Sequence, residues 1–397
     1  MNHIQRKYNL LHIFFWLTYC TIYGYVAVFL QYKGLSSTMI GLTTGLGSAL
    51  TILTTPWLSG MAGRIRGLSI KRLIVITYIG TIALWMVLLW VPLPQMVLMA
   101  CYIAMTNLIA ANVPLLTMIC MNYLTDGVQV NFGIARGLGS VAYASSAVIL
   151  GILIEHWNPS VLGVVHAIGT AGLFAIVYSL PDVAHKEHGS GQESISIPEF
   201  ARRYSLYVLI LLAFALQFSA ATTLSTYLID IVVNLGGTTS MYGIAVFFMA
   251  ASELPFMALT PWLKRYLSSE RLLLFAALMY MLRNVTIALA PNLTVLIIGM
   301  LLQGCSYGIF TASITYYVHE QIGIEHGMAG QTMIAVMTTG LGATVGNVLG
   351  GMLQDGYGLP VMLRFTEWIT AAGFLLYAVL MLKEALTKAS SRKRGDQ

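Results

Sequence analysis

Polar and apolar positions along the chain follow neither the two-residue beat of a half-buried strand nor the three-to-four-residue beat of an amphipathic helix. They come in blocks. Residues 8–30, 72–92, 204–229 and 285–302 each run near or beyond the ~20 apolar residues that cross the hydrocarbon core of a bilayer. Breaks at Gly, Pro and charged clusters divide the chain into segments near 8–31, 37–60, 71–92, 94–122, 132–155, 160–181, 204–232, 239–263, 269–290, 293–318, 328–353 and 359–383. The pattern predicts an all-α membrane protein of twelve transmembrane helices.

One interior stretch breaks this rhythm. Residues 182–203 are polar, with Gly and Ser among the charges, a linker composition. They divide the chain into an N-terminal six-helix bundle (1–181), a cytoplasmic linker (182–203), a C-terminal six-helix bundle (204–383) and a basic tail (384–397). The halves carry matching punctuation. Met39-Ile-Gly41 opens helix 2 and Met241-Tyr-Gly243 opens helix 8. Thr55-Pro-Trp-Leu58 closes helix 2 and Thr260-Pro-Trp-Leu263 closes helix 8, while Arg72-Leu-Ile and Arg271-Leu-Leu open helices 3 and 9. The offsets, 202, 205 and 199 residues, are close to half the chain, as an internal repeat requires.

Composition sharpens the reading. The chain is 57% hydrophobic and 9% charged, against about 25% charged residues in soluble domains. Of 21 Lys and Arg, 17 fall in segments that a cytoplasmic N-terminus places inside; Lys33 and Arg364 fall outside, and Arg136 and Arg283 lie within helices. That asymmetry follows the positive-inside rule and predicts a multi-pass cell-membrane protein with both termini cytoplasmic. The net charge of +6 is thereby explained as topology anchoring near anionic lipid, and no nucleic-acid partner is expected. Cys20, Cys101, Cys120 and Cys305 all sit in apolar blocks without metal-site spacing, so free thiols and no metal are expected. The first apolar run exceeds a signal-peptide core and reads as a retained helix.

Particular residues carry a family resemblance. Phe132-Gly-Ile-Ala-Arg136-Gly-Leu-Gly-Ser-Val-Ala-Tyr143 resembles the signature at the start of helix 5 in the lactose-permease and phenylpropionate-permease branches of the major facilitator superfamily. Ser252-Glu253-Leu-Pro in helix 8, Arg283 in helix 9 and Leu302-Gln-Gly-Cys-Ser-Tyr-Gly308 in helix 10 occupy corresponding places in the second half. The resemblance implies two parallel six-helix repeats with solute bound at mid-membrane. The chain departs from it at Gly60-Met-Ala-Gly63-Arg64, which lacks the acid usual in that loop. The helix 4 carboxylate is also missing, with Thr117 and Met118 in that region, and Gln303 and Ser306 stand where those permeases have a helix 10 His and Glu.

Charges at bilayer depth cost about 2.5–3.5 kcal/mol each on insertion scales, so each is a candidate for function. Arg136, Glu253 and Arg283 qualify. The resemblance places Arg136 in the cavity, where forked donors suit a hydroxyl-rich or anionic solute; the alternative is an interfacial anchor that snorkels. Glu253 and Arg283 read either as a structural ion pair or as a carboxyl that takes and releases a proton beside an alternating cation. Tyr19 and Tyr23 share a helix face, and with Arg136, Tyr143 and Gln303 they form the expected solute-binding set. Asn107, Asn112 and Gln217 are polar at depth and each needs a partner. His12 and His166 read as packed or interfacial. Gly340-Leu-Gly-Ala-Thr-Val-Gly346 mimics a dinucleotide loop but lies inside a predicted helix, where small-residue packing explains it. His319-Glu320 lacks the second His of a zinc-protease motif, with Gly323 in its place.

The resulting expectation is a monomeric secondary transporter, not an enzyme. It would need no cofactor and take up a small organic solute (sugar, nucleoside or aromatic acid) with protons. A proton-driven exporter of amphipathic compounds is the alternative within transport. A membrane-embedded enzyme would need a nucleophile–base pair, an HExxH motif or paired intramembrane aspartates, and a sensor would need a longer tail or linker.

Overall fold

The computed structural model describes residues 3–65, 68–181, 196–323 and 325–395, and these are predominantly helical, with no strand among them. Eleven helices are long and apolar enough to cross a membrane: α2 (Ser37–Ala62), α3 (Ile70–Trp90), α4 (Gln95–Thr125), α5 (Phe132–His156), α6 (Val161–Ser179), α7 (Ser205–Thr226), α8 (Thr239–Leu263), α9 (Ser269–Ala288), α10 (Leu293–Gln321), α11 (Gly327–Tyr357) and α12 (Leu359–Glu384). The first span, α1, joins His3–Gly24 to Val26–Tyr32 through a 50° bend. Large apolar side chains such as Leu53 (71% exposed) and Ile168 (68%) face outward, which water would penalise and lipid accommodates. The chain is a multi-pass membrane protein.

Polar residues punctuate the spans. Ser36, Ser69, Asn131, Ser268 and Asn292 cap α2, α3, α5, α9 and α10, each accepting from a backbone N–H three residues on. Ser69 and Ser268 stand 199 residues apart, the offset of Arg72 and Arg271, so the repeat extends to the caps. Pro56 and Pro261 lie inside α2 and α8, and Trp57 and Trp262 beside them are both exposed.

Several of the spans are interrupted. Helix α1 carries a π-helical segment at Cys20–Gly24, α10 one at Gly304–Gly308 and α11 one at Val336–Gly342. The α4 span turns at Ala111; Pro114, with no N–H to give and a ring against the preceding turn, accounts for the break. The α7 span stops at Thr226 and resumes as Leu228–Asn234, just after Thr222 and Thr223 turn their hydroxyls back onto the Phe218 and Ser219 carbonyls.

Two compact units emerge: Met1–Gly189 with Thr226–Ala251, and Ser190–Ser225 with Ser252–Gln397. In the first unit, the segment 226–251 is held by polar contacts. Tyr227 donates to the Ser37 carbonyl at 2.8 Å, Gln31 Nε2 to Asp230 Oδ1 at 2.9 Å, and the Ser240 N–H to Glu155 Oε2 at 3.0 Å. Tyr242 donates to the Gly24 carbonyl, and outside the segment Tyr25 donates to the Ala147 carbonyl. His166 is fully buried there, with Nδ1 3.0 Å from Thr21 Oγ and Nε2 2.9 Å from Thr81 Oγ. Asn112 is likewise satisfied, accepting from Thr77 at 3.0 Å.

The second unit packs around aromatic rings, with Phe214 and Phe310 4.4 Å apart and Tyr280 and Tyr377 fully buried beside them. A polar seam crosses this core. Asn284 Nδ2 donates to Thr370 Oγ at 3.0 Å and to the Gln217 carbonyl at 3.2 Å, and Gln217 Nε2 donates to the Ala277 carbonyl at 2.9 Å. Of the expected linker, 182–195 lies outside the described residues, and Ile197–Arg203 forms a short helix. The helix of α12 continues to Gly395, and the side chains of the basic tail's Arg392, Lys393 and Arg394 are outside the described set.

Candidate functional site

In the first unit the predicted residues come together on α1 and α5. The Arg136 guanidinium lies over the Trp16 ring, 4.0 Å from its centroid, and its Nη1 donates to Ser140 Oγ at 2.6 Å. Helix spacing produces both contacts: Ser140 follows Arg136 by four residues, and Trp16 stands opposite them on α1. A cation held on an indole face and hydrogen-bonded one turn along its own helix has the plane of its guanidinium fixed. Gly139 makes room for the indole, since a methyl group there would stand 2.2 Å from Trp16 Cδ1.

The rings continue along α1. Trp16 and Tyr19 centroids are 5.0 Å apart, and Tyr19 and Tyr23 stack at 4.4 Å with planes only 5° off parallel. Tyr143 meets Trp16 edge-on at 6.3 Å. Trp16, Tyr19, Tyr23, Arg136 and Tyr143 are all half-buried, so each keeps one surface outside the packed core. At the far end Tyr23 donates to the Thr106 carbonyl at 3.3 Å, beside a cluster in which Thr51 donates to Asn107 Oδ1 at 3.2 Å and Asn107 Nδ2 to the Ile103 carbonyl at 2.8 Å. Below Trp16, His12 is 2% exposed between the rings of Tyr8 and Phe132.

The second unit places Glu253 and Gln303 in contact, with Gln303 Nε2 donating to Glu253 Oε1 at 3.1 Å; both are half-buried. At Gly304 the backbones of the two helices come into close approach. The Gly304 N–H donates to Ser252 Oγ at 3.0 Å, and a methyl group on Gly304 would stand 2.2 Å from the Ser252 carbonyl oxygen. Arg283 is 1% exposed, donates to Asn284 Oδ1 at 2.8 Å and lies within electrostatic reach of Glu253 and Tyr280. A buried guanidinium needs such partners, because leaving it uncompensated costs several kcal/mol.

Sequence reading did not single out Trp16 as the seat of Arg136, nor Ser140, Gly139, Ser252 or Gly304. The signal for Trp16 was present: Trp16, Tyr19 and Tyr23 fall at i, i+3 and i+7, one face of a helix. The glycine contacts had none, since only the crossing of two backbones marks them. A surface cleft of ≈ 680 Å³ in the first unit is lined by Gln5, Val128, Asn131 and Phe132 among others; it lies at the N-terminal end of α5 and includes none of the ring column. No group of three His, Cys, Asp or Glu among the described residues could hold a metal ion.

Comparison with known proteins agrees with this architecture. The MFS_1 like family model matches residues 6–382. The chain belongs to this family of major facilitator transporters. Among curated members of the superfamily, the maltose permease of Geobacillus stearothermophilus is 26% identical over 254 residues, which is 64% of each protein; the chain thus aligns with less than two thirds of that permease's length. The xanthosine permease of Escherichia coli (strain K12) is 26% identical over 87 residues, 22% of this chain and 21% of that one. Among solved structures, the nucleoside transporter NupG superposes with a TM-score of 0.79 at 14% identity, covering 96% of this chain and 99% of that one. At that identity the superposition shows the major facilitator fold.

Proposed function

We propose that this chain is a secondary active transporter that takes up a small hydroxylated ring solute, a nucleoside foremost, together with protons. The observation that carries the reading is the half-buried column of Arg136, Trp16, Tyr19 and Tyr23. It sets aromatic rings beside a planar cation, the chemistry that a flat, polar-edged base suits. Tyr143 adds a solute contact within the first unit, and Gln303 is a solute contact of the second. Glu253, with Arg283 nearby, carries the proton. The named activities of the xanthosine permease and of NupG support a nucleoside, and the maltose permease supports a second reading, a sugar stacked on the same rings.

In this reading the protein resides in the cell membrane as a monomer with both termini cytoplasmic, and works by alternating access of its two six-helix repeats. It performs no covalent chemistry and needs no cofactor; its partners are the solute, protons and lipid. The test is uptake of tritiated xanthosine, uridine and maltose by proteoliposomes, with and without an imposed inward proton gradient. Accumulation of a nucleoside that collapses with the gradient supports the proposal. Accumulation of maltose alone moves the substrate to the sugars. Accumulation indifferent to the gradient removes the proton.

A further inference from the structure

The contact between Glu253 and Gln303 has a direction. An ionised carboxylate only accepts hydrogen bonds, so it can engage only the NH₂ side of a carboxamide. That is the arrangement present: Gln303 Nε2 donates to Glu253 Oε1 at 3.1 Å, and Gln303 Oε1 is buried with no hydrogen-bond partner among the described residues. A protonated carboxyl group adds a donor. The amide can then turn over, offer Oε1 to the carboxyl O–H, and so satisfy the oxygen that is otherwise orphaned. The two orientations of Gln303 thus match the two protonation states of Glu253.

Gln303 is also the residue at which α10 changes its winding, since Gly304–Gly308 is π-helical. This segment lies directly on α8. Gly304 abuts the Ser252 carbonyl and Gly308 the Glu253 carbonyl, where added methyl groups would come within 2.2 and 3.2 Å. Farther along, Lys264 Nζ and Glu320 Oε1 tie the same two helices at 2.6 Å. A π-segment holds an extra residue per turn and can pass that extra residue along the helix, rotating the turns beyond it. Among the groups facing Glu253 are Gln303 from α10 and Arg283 and Tyr280 from α9. Arg283 keeps its charge at any pH at which a carboxyl group titrates, so the proton on Glu253 is the variable.

We infer that Gln303 is a positioning residue that converts the protonation state of Glu253 into an amide reorientation at the start of the α10 π-segment. The inference deepens the proposed coupling role of Glu253 and rests on it.

Infrared difference spectroscopy of the full-length protein in phospholipid vesicles, stepped from neutral to acid pH without any solute, tests it. The carboxyl band is assigned by its loss in Glu253→Gln and the amide band by its loss in Gln303→Met; Gln303→Asn, whose amide is one methylene short of Glu253, is the second variant should Gln303→Met not fold. In the wild type the amide band is expected to shift with the same pH midpoint as the carboxyl band. In either Gln303 variant the carboxyl midpoint should move by about one pH unit, because a hydrogen bond to the charged form has been removed. Labelling of Cys305, which lies in the π-segment and is half-buried, should change at that midpoint in wild type and lose the step in both variants. A purely structural Gln303 would leave the midpoint and the labelling step where they are. A carboxyl band that titrates beside a silent amide overturns this inference alone. The lack of any Glu253 band overturns the coupling reading as well.

Discussion

Arg136 owes its position to three neighbours: the Trp16 face beneath it, Ser140 one turn along its own helix, and the space left by Gly139. Replacement by Lys keeps the charge but loses the planar fork that stacks and donates at once. Arg136→Lys is therefore expected to weaken solute binding about tenfold or more, as measured by isothermal titration with the transported solute, while the melting temperature stays near wild type. Unchanged affinity would make Arg136 an interfacial anchor. Gly139→Ala probes the same site from behind. Its methyl group would stand 2.2 Å from Trp16 Cδ1, so the indole must shift and carry the guanidinium with it. Overpacking of this kind costs about 1–3 kcal/mol; reduced stability with reduced binding is expected, and a variant that binds normally would show that Trp16 does not seat Arg136. That Arg136 and the α1 tyrosines belong together was legible in the sequence, because a charge within an apolar block and helical spacing are local signals. The glycine seats and the pairing of Glu253 with Gln303 were not, because they depend on which helices cross and where.

At the scale of elements, span positions were read from apolar blocks almost to their ends, whereas the bends were not. Apolar length shows that a segment crosses a bilayer; it does not show whether its backbone winds as an α- or π-helix. Pro114 was a visible cause for the turn at Ala111, but nothing comparable marks Cys20–Gly24 or Gly304–Gly308. The start of α8 shows how closely helices can approach. Gly243 lies against the Ala147 carbonyl, 2.4 Å from where a methyl group would sit, with Tyr242 bonded to Gly24 beside it. Gly243→Val is expected to break this packing and lower the melting temperature of the detergent-solubilised protein, again by an amount typical of overpacking, about 1–3 kcal/mol. Tyr242→Phe removes one buried hydrogen bond and should cost about 1 kcal/mol. A Gly243→Val protein as stable as wild type would mean that α8 does not need that close approach.

For the whole molecule, the repeat read from Met39-Ile-Gly41 and Met241-Tyr-Gly243, from the two Thr-Pro-Trp-Leu motifs and from the paired Arg residues places the chain among twelve-helix major facilitators, and the match over residues 6–382 agrees. The resemblance carried less for the chemistry. With Gln303 and Ser306 where the resemblance implies a His and a Glu, the proposed coupling falls to Glu253. Coupling through this carboxyl acts on the transport cycle as a whole: the proton is needed for accumulation and not for exchange. Proteoliposomes carrying Glu253→Gln and the radiolabelled nucleoside or sugar that the wild type transports measure both in one preparation. The expected result is solute-for-solute counterflow near the wild-type rate, with accumulation driven by a proton gradient abolished. Loss of both modes together with a falling melting temperature would instead mark Glu253 as the structural partner of buried Arg283, whose uncompensated charge costs about 3–5 kcal/mol. A Glu253→Gln protein that still concentrates solute against its gradient would rule out proton coupling through this carboxyl.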